Sequence, residues 1–238
     1  MRIYTKFGKA DPIAAKLVDD LAGIKGSPEK YRDQMLNIGK HLAIGIVPSL
    51  KNSPSNDICV VCTVEDADFL ARGLIEQLEE DGYGQRIHLL CLWNGKIKEE
   101  SVSLSPVLRE YKEAFNADDS VFIIVKSIIS GACVVKTNLT RAISISKPTK
   151  IFVAAPVMLD GAEGRLAREF PVEINSKFEF VHFATDDEKN GDDVLPGIGG
   201  SVYELLGLGN SQQKNKYVPQ IVKERRAKHF NLPVLAIA

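Results

Sequence analysis

The stretch VFIIVKSIISGACVV, from Val121 to Val135, decides the fold class. It begins with five apolar, mostly β-branched residues, which predict a buried strand, and it continues through small residues into a predicted helix. In α/β proteins such a strand–loop–helix unit often holds a phosphate, because the first N–H groups of a helix have no partner within the helix. The candidate phosphate-binding residues of this loop are Ser127, Ser130, Gly131, Ala132 and Cys133.

Lys126 is the unexpected residue in this unit. It stands directly after the strand, where a nucleotide-binding loop of this kind usually carries a carboxylate. An ammonium group donates three hydrogen bonds and accepts none, so Lys126 cannot receive the hydroxyl groups of a ribose. The loop is nevertheless suited to an anion, because it contains Lys126, Ser130 and Gly131 and leads into the N-terminus of a predicted helix.

Four more apolar runs flank this unit: ICVVCTV, RIHLLCLWNG, KIFVAAPV and FEFVHFATD, which begin at residues 58, 86, 150 and 178. Amphipathic segments lie between most of them. Strands that are apolar throughout and alternate with helices predict a parallel sheet covered on both faces, and hence an α/β fold. Ligands of such sheets lie beyond the carboxyl ends of the strands.

Composition and cysteine usage indicate a globular protein of a reducing compartment. The 238 residues are 45% hydrophobic and carry a net charge of −1, which argues against nucleic acid or an anionic membrane as partner. No apolar run reaches the roughly 20 residues of a membrane helix. Cys59 and Cys62 have CxxC spacing, but within a strand this spacing puts the thiols on opposite faces. We therefore expect buried, reduced cysteines and a cytoplasmic location.

The pattern changes near both ends of the chain. The first fifty residues predict helices, with start signals at Asp11-Pro12 and Ser27-Pro28. After residue 208 come a polar run, a helix with the basic stretch KERRAK and an apolar segment, LPVLAIA. We predict one domain over residues 1–208 and a C-terminal extension over 209–238, in which KERRAK is a solvated helix face and LPVLAIA is buried.

Two further loops are candidates for a site. In LPGIGG, residues 195–200, three glycines let the backbone approach a flat ligand and offer it N–H and C=O groups. The loop after the first strand carries Glu65, Asp66 and Asp68. One interpretation is an acid cluster that complements a helix N-terminus. The other is a metal site, or a general base that faces Lys126 across a cleft.

Over about residues 10–208, the sequence resembles the uracil phosphoribosyltransferases. The resemblance rests on the order of five segments: DPIAAKL with SPEKYRDQMLNIGKHLA, ICVVCTVEDADFLARGLIEQLEEDG, VFIIVKSIISGACVV, KIFVAAPVMLDGAEGRLAREFP and ATDDEKNGDDVLPGIGGSVYELLG. It implies a phosphoribosyltransferase-like α/β fold, a parallel sheet with helices on both faces and a small hood formed by residues 1–55 and 186–208. It also implies a homodimer.

The resemblance further implies a reaction, the transfer of ribose 5-phosphate from phosphoribosyl pyrophosphate to a pyrimidine base such as uracil, with Mg²⁺ as cofactor. Backbone groups of the Pro-Gly loop read the base in that family. The corresponding base-binding residues here are Leu195, Pro196, Gly197, Ile198, Gly199 and Gly200. No residues are assigned as metal ligands.

The ligand loops depart from the family pattern. Lys126 stands where the family has an aspartate, and Glu65-Asp66-Ala67 stands where it has Arg-Ala-Gly for pyrophosphate. Carboxylates at that position repel a pyrophosphate unless a metal intervenes. Because the scaffold segments persist while two ligand positions invert their charge, we infer that the site is lost or repurposed.

Two main hypotheses remain for the function. In the first, the chain is a uracil-phosphoribosyltransferase-like enzyme with a strongly altered site, and Lys126, Glu65 and Asp66 are its catalytic residues. In the second, it is a catalytically degenerate regulator or complex subunit that binds a nucleotide or a base. A different transferase or hydrolase on the same scaffold is a third possibility. Under each of the first two, we expect Lys126 to face Glu65 or Asp66.

Overall fold

The computed structural model describes residues 1–51, 57–99, 102–191 and 193–229. It shows a mixed α/β protein whose central sheet has the strand order β1-β10-β9-β7-β2-β3-β6, with β8 added beside β9. The described strands are β1 (Arg2–Tyr4), β2 (Asp57–Thr63), β3 (Ile87–Asn94), β4 (Ile97–Glu99), β5 (Val102–Leu104), β6 (Val107–Lys112), β7 (Ser120–Val125), β8 (Ile128–Ile129), β9 (Lys150–Leu159), β10 (Phe178–Asp186), β11 (Glu188–Asn190) and β12 (Asp193–Leu195).

Helices separate β1 from β2 and connect several of the later strands. The described α-helices are α1 (Lys6–Ala10), α2 (Pro12–Gly23), α3 (Pro28–Leu50), α4 (Val64–Asp66), α5 (Arg72–Leu78), α6 (Cys133–Ile143), α7 (Ala162–Arg168), α8 (Val172–Asn175), α9 (Val202–Leu205) and α10 (Gln220–His229). π-helical turns at Ala67–Ala71 and Glu79–Tyr83 flank α5, and 3-10 turns lie at Gly84–Arg86 and Gln213–Lys216.

Five neighbouring strands of the sheet, β3, β2, β7, β9 and β10, are parallel, which confirms the predicted α/β class. Because β2 lies between β3 and β7, the direction in which the chain winds through the sheet reverses between β2 and β7. Ligands of open α/β sheets bind outside the carboxyl ends of the strands at such a reversal. The segments that follow Thr63 and Val125 therefore meet where a site is expected.

Helices cover both faces of the sheet, as predicted. Buried residues of α2, α3 and α5 pack on one face, and those of α6 and α7 pack on the other. Cys62 belongs to the first of these clusters and Cys59 to the second, which confirms the expected opposite orientation of the CxxC pair. The four cysteines, all within the described ranges, form no disulfide; Cys133 is half-buried and the other three are buried.

Neither edge strand of the sheet was predicted from the sequence. β1 pairs antiparallel with β10 in a region where only helices were predicted, and β6 pairs antiparallel with β3. Each of these strands has one edge without a neighbouring strand, and polar residues interrupt the apolar ones along it. No continuous apolar run therefore indicates a strand there.

The region after residue 208 packs against the rest of the molecule. Ile221 and Val222 of α10 belong to the same buried cluster as α3 and α5, and the indole N–H of Trp93 donates to the carbonyl oxygen of Tyr217 at 2.9 Å. KERRAK was predicted to be a solvated helix face, and this prediction is wrong for Arg225. Its Nε donates a hydrogen bond to Glu113 Oε1 at 2.8 Å. That carboxylate is largely buried and is stabilised by a cation partner. The predicted burial of LPVLAIA falls outside the described residues.

Among the residues that the structure describes, none of the helices has the length and apolar character of a membrane span.

Candidate functional site

A cavity of about 240 Å³ lies at the carboxyl ends of β2, β3 and β7, at the winding reversal. Its walls come from the loops after these strands, from the start of α6 and from the region after residue 200. The residues that line it include Glu65, Asn94, Lys126, Ser130, Tyr203 and Lys214. The cavity thus lies where the topology of the sheet predicts a ligand.

Lys126 belongs to a buried group of charges that we call the ion cluster: Glu65, Asp66, Lys126 and Lys214. Its Nζ lies 2.7 Å from Asp66 Oδ2, 3.4 Å from Glu65 Oε1 and 3.0 Å from Ser127 Oγ. The expected pairing of Lys126 with the acidic loop is therefore present. Because an ammonium group has three protons, these contacts leave Lys126 none for a ligand.

Glu65 joins two lysines from distant parts of the chain. Lys214 Nζ donates to Glu65 Oε2 at 2.9 Å, while Lys126 contacts the other carboxylate oxygen. Burial by itself raises the pKa of Glu65, but Lys126 and Lys214 outweigh it and lower the pKa to about 2. Burial likewise acts to lower the pKa of Lys126, yet Asp66 and Glu65 raise it above its usual value. Glu65 and Lys126 are therefore both ionised at neutral pH.

Asp66 connects the loop after β2 to the loop after β7. It is fully buried, and its carboxylate accepts hydrogen bonds from Thr63 Oγ1 at 2.7 Å and from the backbone N–H of Ser127 at 3.2 Å, in addition to the bond from Lys126. Asp66 is not among the described residues that line the cavity. Its contacts make it a residue that positions Lys126.

Asp68 has a different role from its two acidic neighbours. Its carboxylate accepts hydrogen bonds from the backbone N–H groups of Gln220 at 2.6 Å and Ile221 at 2.7 Å, and from the Tyr217 hydroxyl. These N–H groups begin α10, so Asp68 caps a helix that lies far away in sequence. One interpretation of the acid cluster was that it complements its own helix; Glu65 and Asp66 do lie in the first turn of α4, although no side chain caps the start of that helix.

The carboxylates of the ion cluster do not suit a divalent cation. Glu65 and Asp66 are each in contact with a lysine, and an ammonium group beside them repels a metal ion. The described residues contain no group of three or more side chains arranged to hold a metal. A requirement for Mg²⁺ stays a prediction of the resemblance.

The predicted phosphate loop divides into a buried part and an open part. Ser127 is fully buried, whereas Ser130, Gly131 and Cys133 line the cavity. No atom lies within 4 Å of the place where a Cβ on Gly131 would stand. Ala132 precedes the first turn of α6, and no side chain caps that turn. The start of an 11-residue helix therefore faces the cavity with donors that suit an anion.

Asn94 was not predicted as a site residue. Its Nδ2 donates to the carbonyl oxygen of Ser105 at 3.1 Å and to Asn138 Oδ1 at 2.8 Å. Its Oδ1 is buried and has no hydrogen-bond partner among the described residues. Buried acceptors are usually paired, so this oxygen, in a residue that lines the cavity, is an exception. Its place at the end of a predicted strand was the available signal.

The Pro-Gly loop is held by the amino-terminal region. Arg2 Nη2 donates to the carbonyl oxygen of Gly197 at 2.6 Å, and the Tyr31 hydroxyl donates to that of Ile198 at 2.9 Å. Asp186, which pairs with Arg2, accepts a bond from the N–H of Gly197 at 2.8 Å. Residues 195–200 are all described, and none of them lines the cavity. Base recognition by this loop stays a prediction.

The fold is similar to that of a solved protein from Aquifex aeolicus. Its AQ2163 protein aligns with 82% of this chain and 94% of its own length, with a TM-score of 0.63 and 16% identity. At this identity the similarity shows the fold alone.

Phosphoribosyltransferases are also among the similar solved structures, at lower scores. The L. donovani hypoxanthine-guanine phosphoribosyltransferase matches 63% of this chain and 78% of its own, with 10% identity and a TM-score of 0.41. The adenine phosphoribosyltransferase of Thermoanaerobacter pseudethanolicus matches 63% and 83%, with 12% identity and a TM-score of 0.39. Scores this low carry no argument about activity.

No protein-family model matches the sequence, and neither does any curated protein. The architecture and the similarity to AQ2163 together establish a mixed α/β fold with a central, mostly parallel sheet.

Proposed function

We propose that the chain binds a small phosphorylated ligand, of mononucleotide size, in the cavity and acts as a regulator or complex subunit without phosphoribosyl transfer. One observation carries the proposal. By the resemblance, Lys126 stands where the family has an aspartate, and its Nζ is in contact with Asp66, Glu65 and Ser127. The ion cluster therefore closes the position where the resemblance expects pyrophosphate and ribose.

The part of the cavity beside the ion cluster supports anion binding. Ser130 and Gly131 lie where the first turn of α6 meets the cavity, and the lining also contains Lys96 and Lys214. A helix N-terminus and nearby cations together stabilise a phosphate.

The rest of the lining supports a small organic group attached to that phosphate. The ring of Tyr203 and the aliphatic side chains of Ile128 and Val202 line the cavity, and Asn94 supplies an unpaired acceptor. A flat or apolar group can pack on such a wall, while a hydroxyl or N–H group bonds to Asn94. A volume of about 240 Å³ fits a mononucleotide better than a dinucleotide.

Phosphoribosyl transfer to a pyrimidine base, with Mg²⁺, is the second candidate. The open start of α6 at Gly131 favours it, because a 5-phosphate would bind there in the same way. The two candidates differ in turnover, since both predict binding of a phosphate.

The experiment combines binding and turnover. Calorimetric titrations with UMP, ribose 5-phosphate, uracil and phosphoribosyl pyrophosphate, each with and without Mg²⁺, should show binding of UMP or ribose 5-phosphate. At a ligand concentration near 100 times Kd, the bound ligand should stabilise the protein by roughly 2.7 kcal/mol. Steady formation of UMP from uracil and phosphoribosyl pyrophosphate would establish the second candidate instead. Absence of binding by all four compounds would refute the first.

Homodimer formation and a cytoplasmic location stay predictions of the sequence. Light scattering on the purified protein, over a range of concentrations, tests the first of them.

A further inference from the structure

The residues from 209 to 229, which we call the C-terminal strap, reach the cavity from a distant part of the sequence. Ser211 and Lys214 of the strap line the cavity. Beyond Lys214 the strap is anchored at the acidic loop, where Asp68 binds the Tyr217 hydroxyl and the first N–H groups of α10. The same segment, residues 65–68, therefore holds the strap through Asp68 and contributes Glu65 to the wall of the cavity.

Lys214 differs from Lys126 in its remaining hydrogen-bond capacity. It is only 6% exposed, and its Nζ donates to Glu65 Oε2 at 2.9 Å and lies 5.9 Å from the centre of the Tyr203 ring. The bond to Glu65 uses one of its three protons. Lys126, in contrast, has a contact for each of its three protons. Of these two buried lysines, Lys214 is the one that can donate to a ligand without giving up a partner.

We propose that Lys214 contacts the phosphate of the ligand, so that ligand binding and docking of the C-terminal strap stabilise each other. The inference rests on the proposed function, because it assigns a residue to the same cavity. Lys214 would then bridge Glu65 and the bound phosphate. Coupling of this kind is reciprocal: the factor by which strap docking raises ligand affinity equals the factor by which the bound ligand favours strap docking.

The test uses UMP as probe, with calorimetric titration and hydrogen–deuterium exchange on the whole chain. In the unmodified protein, UMP should slow exchange in residues 209–229. In Lys214→Met, UMP affinity should fall by roughly tenfold or more, since a charged hydrogen bond is lost, and UMP should no longer slow exchange in the strap. Lys216→Met is the matched control, because Lys216 is exposed on the same turn and should leave both measurements unchanged.

A second pair of variants separates a ligand contact from a structural role. Lys214→Arg keeps the charge and should bind UMP within a few-fold of the unmodified protein, which attributes the Lys214→Met result to the missing cation. Asp68→Asn should loosen the strap at its other anchor and lower UMP affinity although Asp68 does not line the cavity.

The outcomes distinguish the inference from the function on which it rests. Equal UMP binding by the unmodified protein and Lys214→Met would overturn the role of Lys214 while the proposed function stands. Binding that falls in Lys214→Met without any effect of UMP on the strap would overturn the coupling. No UMP binding by the unmodified protein would overturn both.

Discussion

The Pro-Gly loop and the loop before α6 have opposite surroundings. A Cβ on Gly197 would stand 2.2 Å from the carbonyl oxygen of Val194, and one on Gly199 would stand 2.8 Å from that of Ala22. A Cβ on Gly131 would meet no atom within 4 Å. The Pro-Gly loop needs glycine because the protein itself fills the space, whereas the loop before α6 faces the cavity.

The difference shows how to distinguish a structural glycine from one that faces a ligand. In the Pro-Gly loop, the N–H and C=O groups of Gly197 and the C=O group of Ile198 are bonded to Asp186, Arg2 and Tyr31. At Gly131, the neighbouring helix start has no side-chain cap. Glycine content is therefore a weak guide to a ligand site, and the partners of the nearby backbone groups are a better one.

The largest expected effect comes from adding a side chain to the Pro-Gly loop. Gly197→Ala should lower the free energy of unfolding by roughly 2–5 kcal/mol, because the Cβ collides with backbone and the φ angle of +55° disfavours an L residue. Gly131→Ala is the matched control and should change it by less than about 0.5 kcal/mol. Urea unfolding measures both. Similar losses in the two variants would remove the distinction between the loops.

A smaller effect should appear in acid, at the ion cluster. Folding lowers the pKa of Glu65 from 4.5 to about 2, so the ionised carboxylate stabilises the fold fully above pH 4.5 and loses this effect as the pH falls to about 2. The loss should reach roughly 3 kcal/mol.

Urea unfolding between these pH values measures that loss, with Glu65→Gln as comparison. The variant should be less stable at neutral pH, because Lys214 loses its carboxylate partner and Lys126 keeps only Asp66, but its stability should fall less steeply in this range. Parallel pH profiles for the two proteins would show that Glu65 is not held ionised by Lys126 and Lys214.

The smallest effect on stability should accompany a clear effect on binding. Gly131→Val places a branched side chain beside the helix start that is proposed to hold a phosphate, so UMP affinity should fall by roughly tenfold while the unfolding free energy changes little. Calorimetry measures the affinity and urea unfolding measures the free energy of unfolding, on the same preparation. Unchanged UMP affinity would show that the phosphate does not bind at the start of α6.

Much of the fold was predictable from the sequence because its signals are local. The β-branched run at residues 58–64 and that at 121–125 became β2 and β7, and the alternation along β2 placed Cys59 and Cys62 on opposite faces. The pairing of Lys126 with the acidic loop was also predictable, since the carboxyl ends of adjacent parallel strands meet.

The unpredicted parts of the candidate site depend on long-range contacts. Lys214 lies in a polar run that predicts a linker, and only its contact with Glu65, 149 residues earlier, makes it a site residue. Likewise, Arg2 binds the carbonyl oxygen of Gly197 across 195 residues. Local periodicity and charge contain no information about such pairs, so the sequence alone could not show which backbone groups are already occupied.

The cap that Asp68 gives to α10 has a consequence for biosynthesis. The capped N–H group of Gln220 lies 152 residues after Asp68, so during translation the strands around the cavity leave the ribosome well before α10 does. A contact of such sequence separation forms only after its long loop has closed. We therefore expect the nascent chain to pass through a stage in which the sheet strands beside the cavity have formed, while the strap, with Ser211 and Lys214 of the cavity wall, has not docked.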